Sequence, residues 1–338
     1  MCALFGWLDC GKILSVRVLK KLTQALANAA EERGTDASGI SYIRNDNQVT
    51  IYKCPKPAHK IKFHIPHDTG AVMGHTRFAT QGDAEINCNN HPFYGHADVD
   101  FAFAHNGVLR NDKELRTSEQ LPETNIETDS YVAVQLIEKH GKLNMDSLKS
   151  MAEKIKGSFV FTVLDQGQTL YFVKGSNPLC LLYFEHLGLY VYASTESIMK
   201  SALKKVGLHR EKNIRIKIEE GEIISIDRNG FLSRDEFDVQ DDTNFFKSRK
   251  WKTRFDDTDW YDTGYTEYEQ MLIDYCKFYG IDEEKIMILL DYGYTVDEIE
   301  EFLTDTNLFQ EALRIALGED DASDSDQIGF DFCDICGW

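Results

Sequence analysis

The chain has 338 residues, 42% hydrophobic and 28% charged, which is the balance of a globular protein with room for one large domain and something smaller. No run approaches the roughly 18 uncharged apolar residues that span a bilayer, and the apolar start Ala3 to Leu8 is too short and too close to Asp9 for a secretory signal, so a cytoplasmic protein is expected. The net charge of −19 is uneven: residues 1–230 carry 28 Lys+Arg against 27 Asp+Glu, whereas 231–338 carry 9 against 29. An acidic C-terminal third repels nucleic acid and anionic lipid, so neither nucleic acid nor membrane is an expected partner. Eight scattered cysteines without a secretion signal are expected as free thiols.

From Lys12 to Ala30, Val16, Leu19, Leu22, Leu26 and Ala29 recur at three- and four-residue spacing, which predicts an amphipathic helix closed by Arg33-Gly34-Thr35-Asp36. β-like runs follow at Gly39 to Ile43, Val49 to Lys53, Ala71 to His75 and Phe101 to Ala104. Thr128 to His140 reads as a second helix, with Val132, Leu136 and Ile137 as its buried stripe. Between Phe159 and Ile226, short apolar runs at close intervals predict antiparallel strands, interrupted by a helix at about Ser197 to Lys205. Helices segregated from antiparallel strands make the fold class α+β and argue against the βαβ alternation of a dinucleotide-binding domain.

Residues 238–263 read as a connector; their basic and aromatic residues would also suit a nucleic-acid strip, but the surrounding acidity favours a solvated link. Periodic stretches at Tyr265 to Tyr279, Ile286 to Leu290, Ile299 to Leu303 and Leu308 to Leu317 predict an acidic helical bundle over 264–318. Thr295 and Glu298 have capping-box spacing there, and Gly318 would close the last helix. Residues 319–338 are expected as a flexible acidic tail. Cys333-x-x-Cys336 has zinc-ligand spacing but no partner pair, so neither a metal nor a cofactor is expected.

Removal of Met1 would leave Cys2 with a thiol and a free α-amine on one carbon. Such an amine titrates near 7.7–8.0 and can act as general base for its own thiol. An incidental cysteine is the alternative. Four more segments place polar residues where a core element would not: Arg33-Gly34-Thr35-Asp36-Ala37-Ser38-Gly39, Gly74 to Gly82, Ala104-His105-Asn106-Gly107 and Glu127-Thr128-Asp129. With Cys2, and in this order over about residues 2–230, they resemble the type 2 (class II) glutamine amidotransferases, which are N-terminal-nucleophile hydrolases. The resemblance is closest to the glutaminase domain of glucosamine-6-phosphate synthase.

The resemblance implies an αββα four-layer sandwich of two antiparallel sheets flanked by helices over 2–237, followed here by a small all-α acidic module. It also implies that Cys2 attacks the side-chain amide of L-glutamine, with Asn106 and the N–H of Gly107 as oxyanion hole. Arg77 would take the α-carboxylate and Asp129 the α-ammonium, with Thr80 and His91 beside the substrate. Arg33, Asp36, Gly39, His75, Gly82 and His105 match supporting positions, and Gly74 with Gly82 would hinge a covering loop. Asn106-Gly107 alone also reads as a hairpin turn, Arg77 as a surface arginine and Asp129 as a helix cap. Ala3, Phe78 and Gln81 depart from the family's glycine, tryptophan and histidine, which leaves open the synthase served. The expected partner is an ammonia-accepting synthase on another chain. Two alternatives stand: hydrolysis of another γ-glutamyl amide, and an idle scaffold bearing an acidic interaction module that is either a docking element or a packing cap.

Overall fold

Strands with apolar side chains on both faces need cover on both sides, and that requirement builds this molecule. The structure, a computed structural model, describes residues 2–43, 47–240, 269, 272, 273, 276, 281–304 and 306–317. In chain order the first elements are β1 (Ala3–Asp9), α1 (Val16–Ala29), β2 (Ala37–Ile43), β3 (Val49–Cys54), β4 (Ala71–Arg77), β5 (Phe93–His96), β6 (Asp100–Leu109), α2 (Asp112–Ser118), α3 (Tyr131–His140) and α4 (Met145–Ala152). Then follow β7 (Gly157–Asp165), β8 (Leu170–Lys174), β9 (Cys180–Phe184), β10 (Leu189–Ala193), α5 (Glu196–Val206), β11 (Ile214–Ile216), β12 (Glu222–Ile226) and β13 (Leu232–Glu236).

The strands form a seven-stranded sheet, β11-β9-β10-β1-β4-β2-β3, and a six-stranded sheet, β13-β12-β8-β7-β6-β5, and the pairings within both are antiparallel. Period-2 alternation then sorts side chains into three apolar layers. Ala3, Phe5 and Trp7 of β1 pack with Leu22 and Leu26 of α1 and Ile198 of α5. Leu4 and Leu8 point the other way and meet Ala102 and Ala104 of β6 and Val160 and Leu164 of β7 between the sheets. Phe101 and Phe103 of β6 and Phe159 and Phe161 of β7 bury the inner faces of α3 and α4. The result is the expected α+β sandwich in four layers, αββα.

Two differences from the sequence reading have local causes. The first helix starts at Val16 because Lys12 has positive φ (51°) and Ser15 is extended. β6 runs on to Leu109, pairing with β7 from Phe101↔Asp165 to Leu109↔Gly157, so Asn106-Gly107 lies inside a strand and forms no hairpin turn.

The chain divides into two compact units, 1–250 and 251–338. The described part of the second contains α6 (Glu283–Tyr292), α7 (Val296–Thr304) and α8 (Thr306–Leu317), packed around Ile286, Leu289, Ile299, Phe309 and Leu313. The Thr295/Glu298 box is present: Thr295 N donates to Glu298 Oε2 (2.8 Å), and Glu298 N to Thr295 Oγ1 (3.3 Å). The basic-aromatic strip, most of the helix read at 265–279, Gly318, the acidic tail and Cys333/Cys336 lie outside the described residues. Among the described residues no helix is long and apolar enough to cross a membrane.

Candidate active site

At one end of the sandwich the apolar filling between the sheets gives way to polar residues. Along β1 the inward row runs Leu8, Leu4 and then Cys2; along β4 it runs Ala71, Met73 and then His75 and Arg77; along β6 it runs Ala102, Ala104 and then Asn106. Pairing of Ala3 with Thr76 sets Cys2 opposite Arg77. The Cys2 thiol is partly buried and donates to Phe78 O (3.4 Å). Burial pushes its pKa up; a backbone hydrogen bond at Phe78 and the Arg77 charge pull the other way, and Asp129 adds to the rise. The turn before β2 wraps the Cys2 end of β1. Arg33 Nε donates to Cys2 O (2.9 Å), Asp36 N to Arg77 O (3.0 Å), and the Asp36 carboxylate accepts from Ala79 N (2.8 Å).

Arg77 is a buried cation, 3% exposed, held only by neutral acceptors. Nη1 donates to Asn90 Oδ1 (2.7 Å), and Nη2 to the carbonyls of Gln81 (2.6 Å) and Gly82 (2.8 Å). Among the described residues no carboxylate lies within ion-pair distance of it. The surface-arginine reading is therefore wrong. Arg77 also anchors the loop that follows β4. Gly82 turns that loop with φ of 78°, and Asn89 fastens it to the segment before α3: Asn89 Nδ2 donates to Glu127 Oε2 (2.8 Å), and Glu127 N returns to Asn89 Oδ1 (2.9 Å). Gln81 Nε2 adds a bond to Glu127 O (2.9 Å). Thr80 is exposed on the loop. Gly74 is no hinge. It sits within β4, where an added Cβ would come 2.2 Å from the Phe5 ring.

Asp129, 4% exposed, joins β6 to the start of α3. Its Oδ2 accepts from Leu109 N (2.6 Å), and its Oδ1 accepts from Ser130 N (2.8 Å) and Ser130 Oγ (3.2 Å). Asn106 is wholly buried, and neither its Nδ2 nor its Oδ1 has a partner, although its main-chain oxygen accepts from Asn177 Nδ2 (2.8 Å). At Gly107, φ is 143° and a Cβ would meet Ser158 O at 2.0 Å, so only glycine fits.

Behind these residues lie three buried histidines. His75 Nε2 donates to His105 O (2.9 Å), His105 Nδ1 lies 2.8 Å from Ser130 Oγ, and His91 is wedged between His75 and Phe93 with both ring nitrogens unpartnered. Burial lowers all three pKa values, that of His75 to about 3. Gly39 admits this packing, since a Cβ there would come 2.3 Å from His91 O. Among the described residues no group of His, Cys, Asp and Glu is arranged to hold a metal.

The structure thus brings Cys2, Arg77, Asn106, Gly107 and Asp129 to one end of the sandwich, and sets His75, His91 and His105 in the interior behind them. Sequence reading passes over Asn89, Asn90 and Asn177. The first two stand beside His91 in the chain and their amides were a signal; Asn177 left none.

Residues 75–201 match the family described as a glutamine amidotransferase domain. Glutamine–fructose-6-phosphate aminotransferases (isomerizing) are similar: that of Sulfurisphaera tokodaii is 34% identical over 197 residues, covering 54% of this chain and 31% of the relative. The Staphylococcus aureus protein of that name is 29% identical over 256 residues, covering 72% and 40%. The chain spans about a third of the length of the curated relatives it matches. Among solved structures, the allosteric regulatory enzyme of purine biosynthesis aligns with a TM-score of 0.57 at 21% identity, covering 70% of this chain and 49% of that one, and shows the same fold.

Proposed function

Given that the chain carries a class II glutamine amidotransferase domain, we propose that it releases ammonia from L-glutamine through Cys2, once Met1 has been removed. The α-amine of Cys2 takes the thiol proton as sulfur attacks the side-chain carbonyl carbon. The same amine delivers that proton to the departing nitrogen as the C–N bond breaks, leaving a γ-glutamyl thioester and ammonia. Water then cleaves the thioester to glutamate and the free thiol. A thiol whose pKa burial raises needs such a base at neutral pH. Arg77 supplies a cation for the α-carboxylate, and the carboxylate of Asp129, bonded here to backbone N–H groups, faces the α-ammonium.

The observation that carries the reading is the Asn106 amide, buried without a partner where the inward row of β6 reaches the polar end of the sandwich. A buried unpaired amide costs about 1–3 kcal/mol. An oxyanion that forms only during reaction supplies the missing acceptor, and one such donor is worth about 2.7–4 kcal/mol of barrier. Thr80 and His91 are assigned to the rim of the site and to its rear wall. The ammonia is assigned to an acceptor synthase on a partner protein. The protein is placed in the cytoplasm, and its acidic helical unit serves as the docking element.

The test is release of glutamate and ammonia from L-glutamine by the full chain, with intact mass read in parallel. The expected mass lacks one methionine, and Cys2→Ala abolishes release while leaving the fold intact. Retention of Met1 in an active protein, or activity on other γ-glutamyl amides with none on glutamine, would overturn the proposal.

A further inference from the structure

Arg77 takes its orientation from Asn90, and Asn90 is in turn gripped from β3. Lys53 Nζ donates to Asn90 O (2.5 Å) and reaches Cys88 O (3.5 Å), while Lys53 O accepts from Asn87 Nδ2 (3.0 Å). One residue of an edge strand thus holds segment 87–90 through both its main chain and its side chain. The ammonium lies 4.9 Å from the Phe93 ring centroid, a cation–π arrangement. Room for it comes from Gly39, which pairs with Lys53 and whose missing side chain leaves space that Lys53, His91 and Pro92 share. Asn90, wholly buried, passes the constraint on: its Nδ2 donates to Ala84 O (2.7 Å) and its Oδ1 accepts from Arg77 (2.7 Å).

We infer that Lys53 is a positioning residue that fixes Asn90 and, through it, aims the Arg77 guanidinium at the α-carboxylate of the substrate. This rests on the functional reading above. Lys53 does not touch the substrate; it sets the angle of the fork that does. Charge matters to the hold, because an ammonium donating to a carbonyl makes a stronger and shorter bond than a neutral amine. The site works against that charge. Burial and the nearby Arg77 lower the Lys53 pKa to about 8 and Cys88 opposes this; among the described residues His75 and His91 also face it, both neutral at that pH. The grip therefore weakens as pH rises through about 8.

The experiment uses Lys53→Met and Lys53→Arg in the full chain, with two independent readouts. The first is steady-state hydrolysis of L-glutamine from pH 6.5 to 9.5. Lys53→Met is expected to raise KM about tenfold with kcat changed no more than about twofold, as for loss of one charge-assisted bond that acts on binding. Lys53→Arg, whose guanidinium does not titrate in this range, is expected to restore KM and to remove the rise in KM above pH 8. The second is hydrogen exchange of the peptide covering 84–90 in the free protein, which needs no turnover. Lys53→Met should speed it several-fold while exchange of β1 and β10 is unchanged. Unaltered exchange and unaltered KM would overturn the inference, as would an equal loss of protection across both sheets, which marks a merely structural lysine. Loosened exchange in a protein whose parent hydrolyses no glutamine would instead sink the functional reading and leave only the hold on Asn90.

Discussion

Replacing Asn106 by leucine separates the stability of this site from its chemistry. The side chain is wholly buried, and neither polar atom has a partner. Leucine keeps the branching at Cγ while removing both. Relief of the unpaired amide is worth about 1–3 kcal/mol, and crowding by the two methyl groups costs about 1–3 kcal/mol in a packed layer. The unfolding free energy should therefore stay within about 2 kcal/mol of wild type in either direction, each kcal/mol moving the melting temperature of a unit of this size by about 2–4 °C. Turnover should behave quite differently. Loss of an oxyanion donor worth about 2.7–4 kcal/mol lowers kcat by about 10²–10³ with little change in KM, because the interaction exists only as charge develops. Urea titration and steady-state ammonia release on the same preparation check both halves. A variant that is destabilised yet keeps its kcat would refute the reasoning, since Asn106 would then be bonded in the fold and idle in the reaction.

Acid should destabilise the N-terminal unit. His75, His91 and His105 have folded pKa values below their unfolded value of about 6.5, so the unfolded chain binds more protons as pH falls below 6.5, and each histidine removes up to about 2 kcal/mol by pH 5. Urea unfolding at pH 7 and pH 5 measures the drop, and a flat profile would contradict the buried neutral cluster. Glu127→Ala cuts the tie to Asn89 and frees the loop after β4. KM for glutamine should rise about tenfold with kcat nearly kept, and equal KM values would show that the tie is ornamental. Gly39→Ala must push β2 away from His91 O, 2.3 Å from the added Cβ, and a loss of less than about 1 kcal/mol in unfolding free energy would contradict that contact.

The helices were the most legible part of the fold. α1 and α5 each carry a single apolar stripe, and the 3.6-residue period survives in the sequence because the opposite face meets water. β1 was not legible as a strand, because both of its faces are buried and an unbroken apolar run has no period to read. β6 was cut short at Ala104 for the opposite reason: His105 and Asn106 break the apolar pattern where the strand enters the site. Cys2, Arg77, Asn106 and Asp129 could be picked out because polar residues interrupt core-like segments. What holds them could not. The Arg77–Asn90 bond spans 13 residues and the Asn89–Glu127 bond 38, and both depend on how the loop folds back rather than on any local spacing.

That contrast bears on where the fold tolerates unmet polar demand. Elsewhere in the sandwich some buried polar groups have partners, as where the Trp7 indole donates to Thr23 and the Ser194 hydroxyl accepts from Leu4 N, while the Ser41, Thr69, Thr162 and Tyr192 hydroxyls have none. At the Cys2 end the chain keeps a guanidinium without a carboxylate and an amide with no partner, together with a thiol whose pKa burial raises. Groups left in that state lower stability, and a fold retains them where something else completes them. A carboxylate completes Arg77 and an oxyanion completes Asn106, and a single molecule bearing an α-carboxylate and a side-chain amide would deliver both to the same thiol. These two groups thus define the ligand by what they lack, and their place at one end of the sandwich agrees with the near-neutral balance of residues 1–230: recognition of a zwitterion needs local charges and no net field.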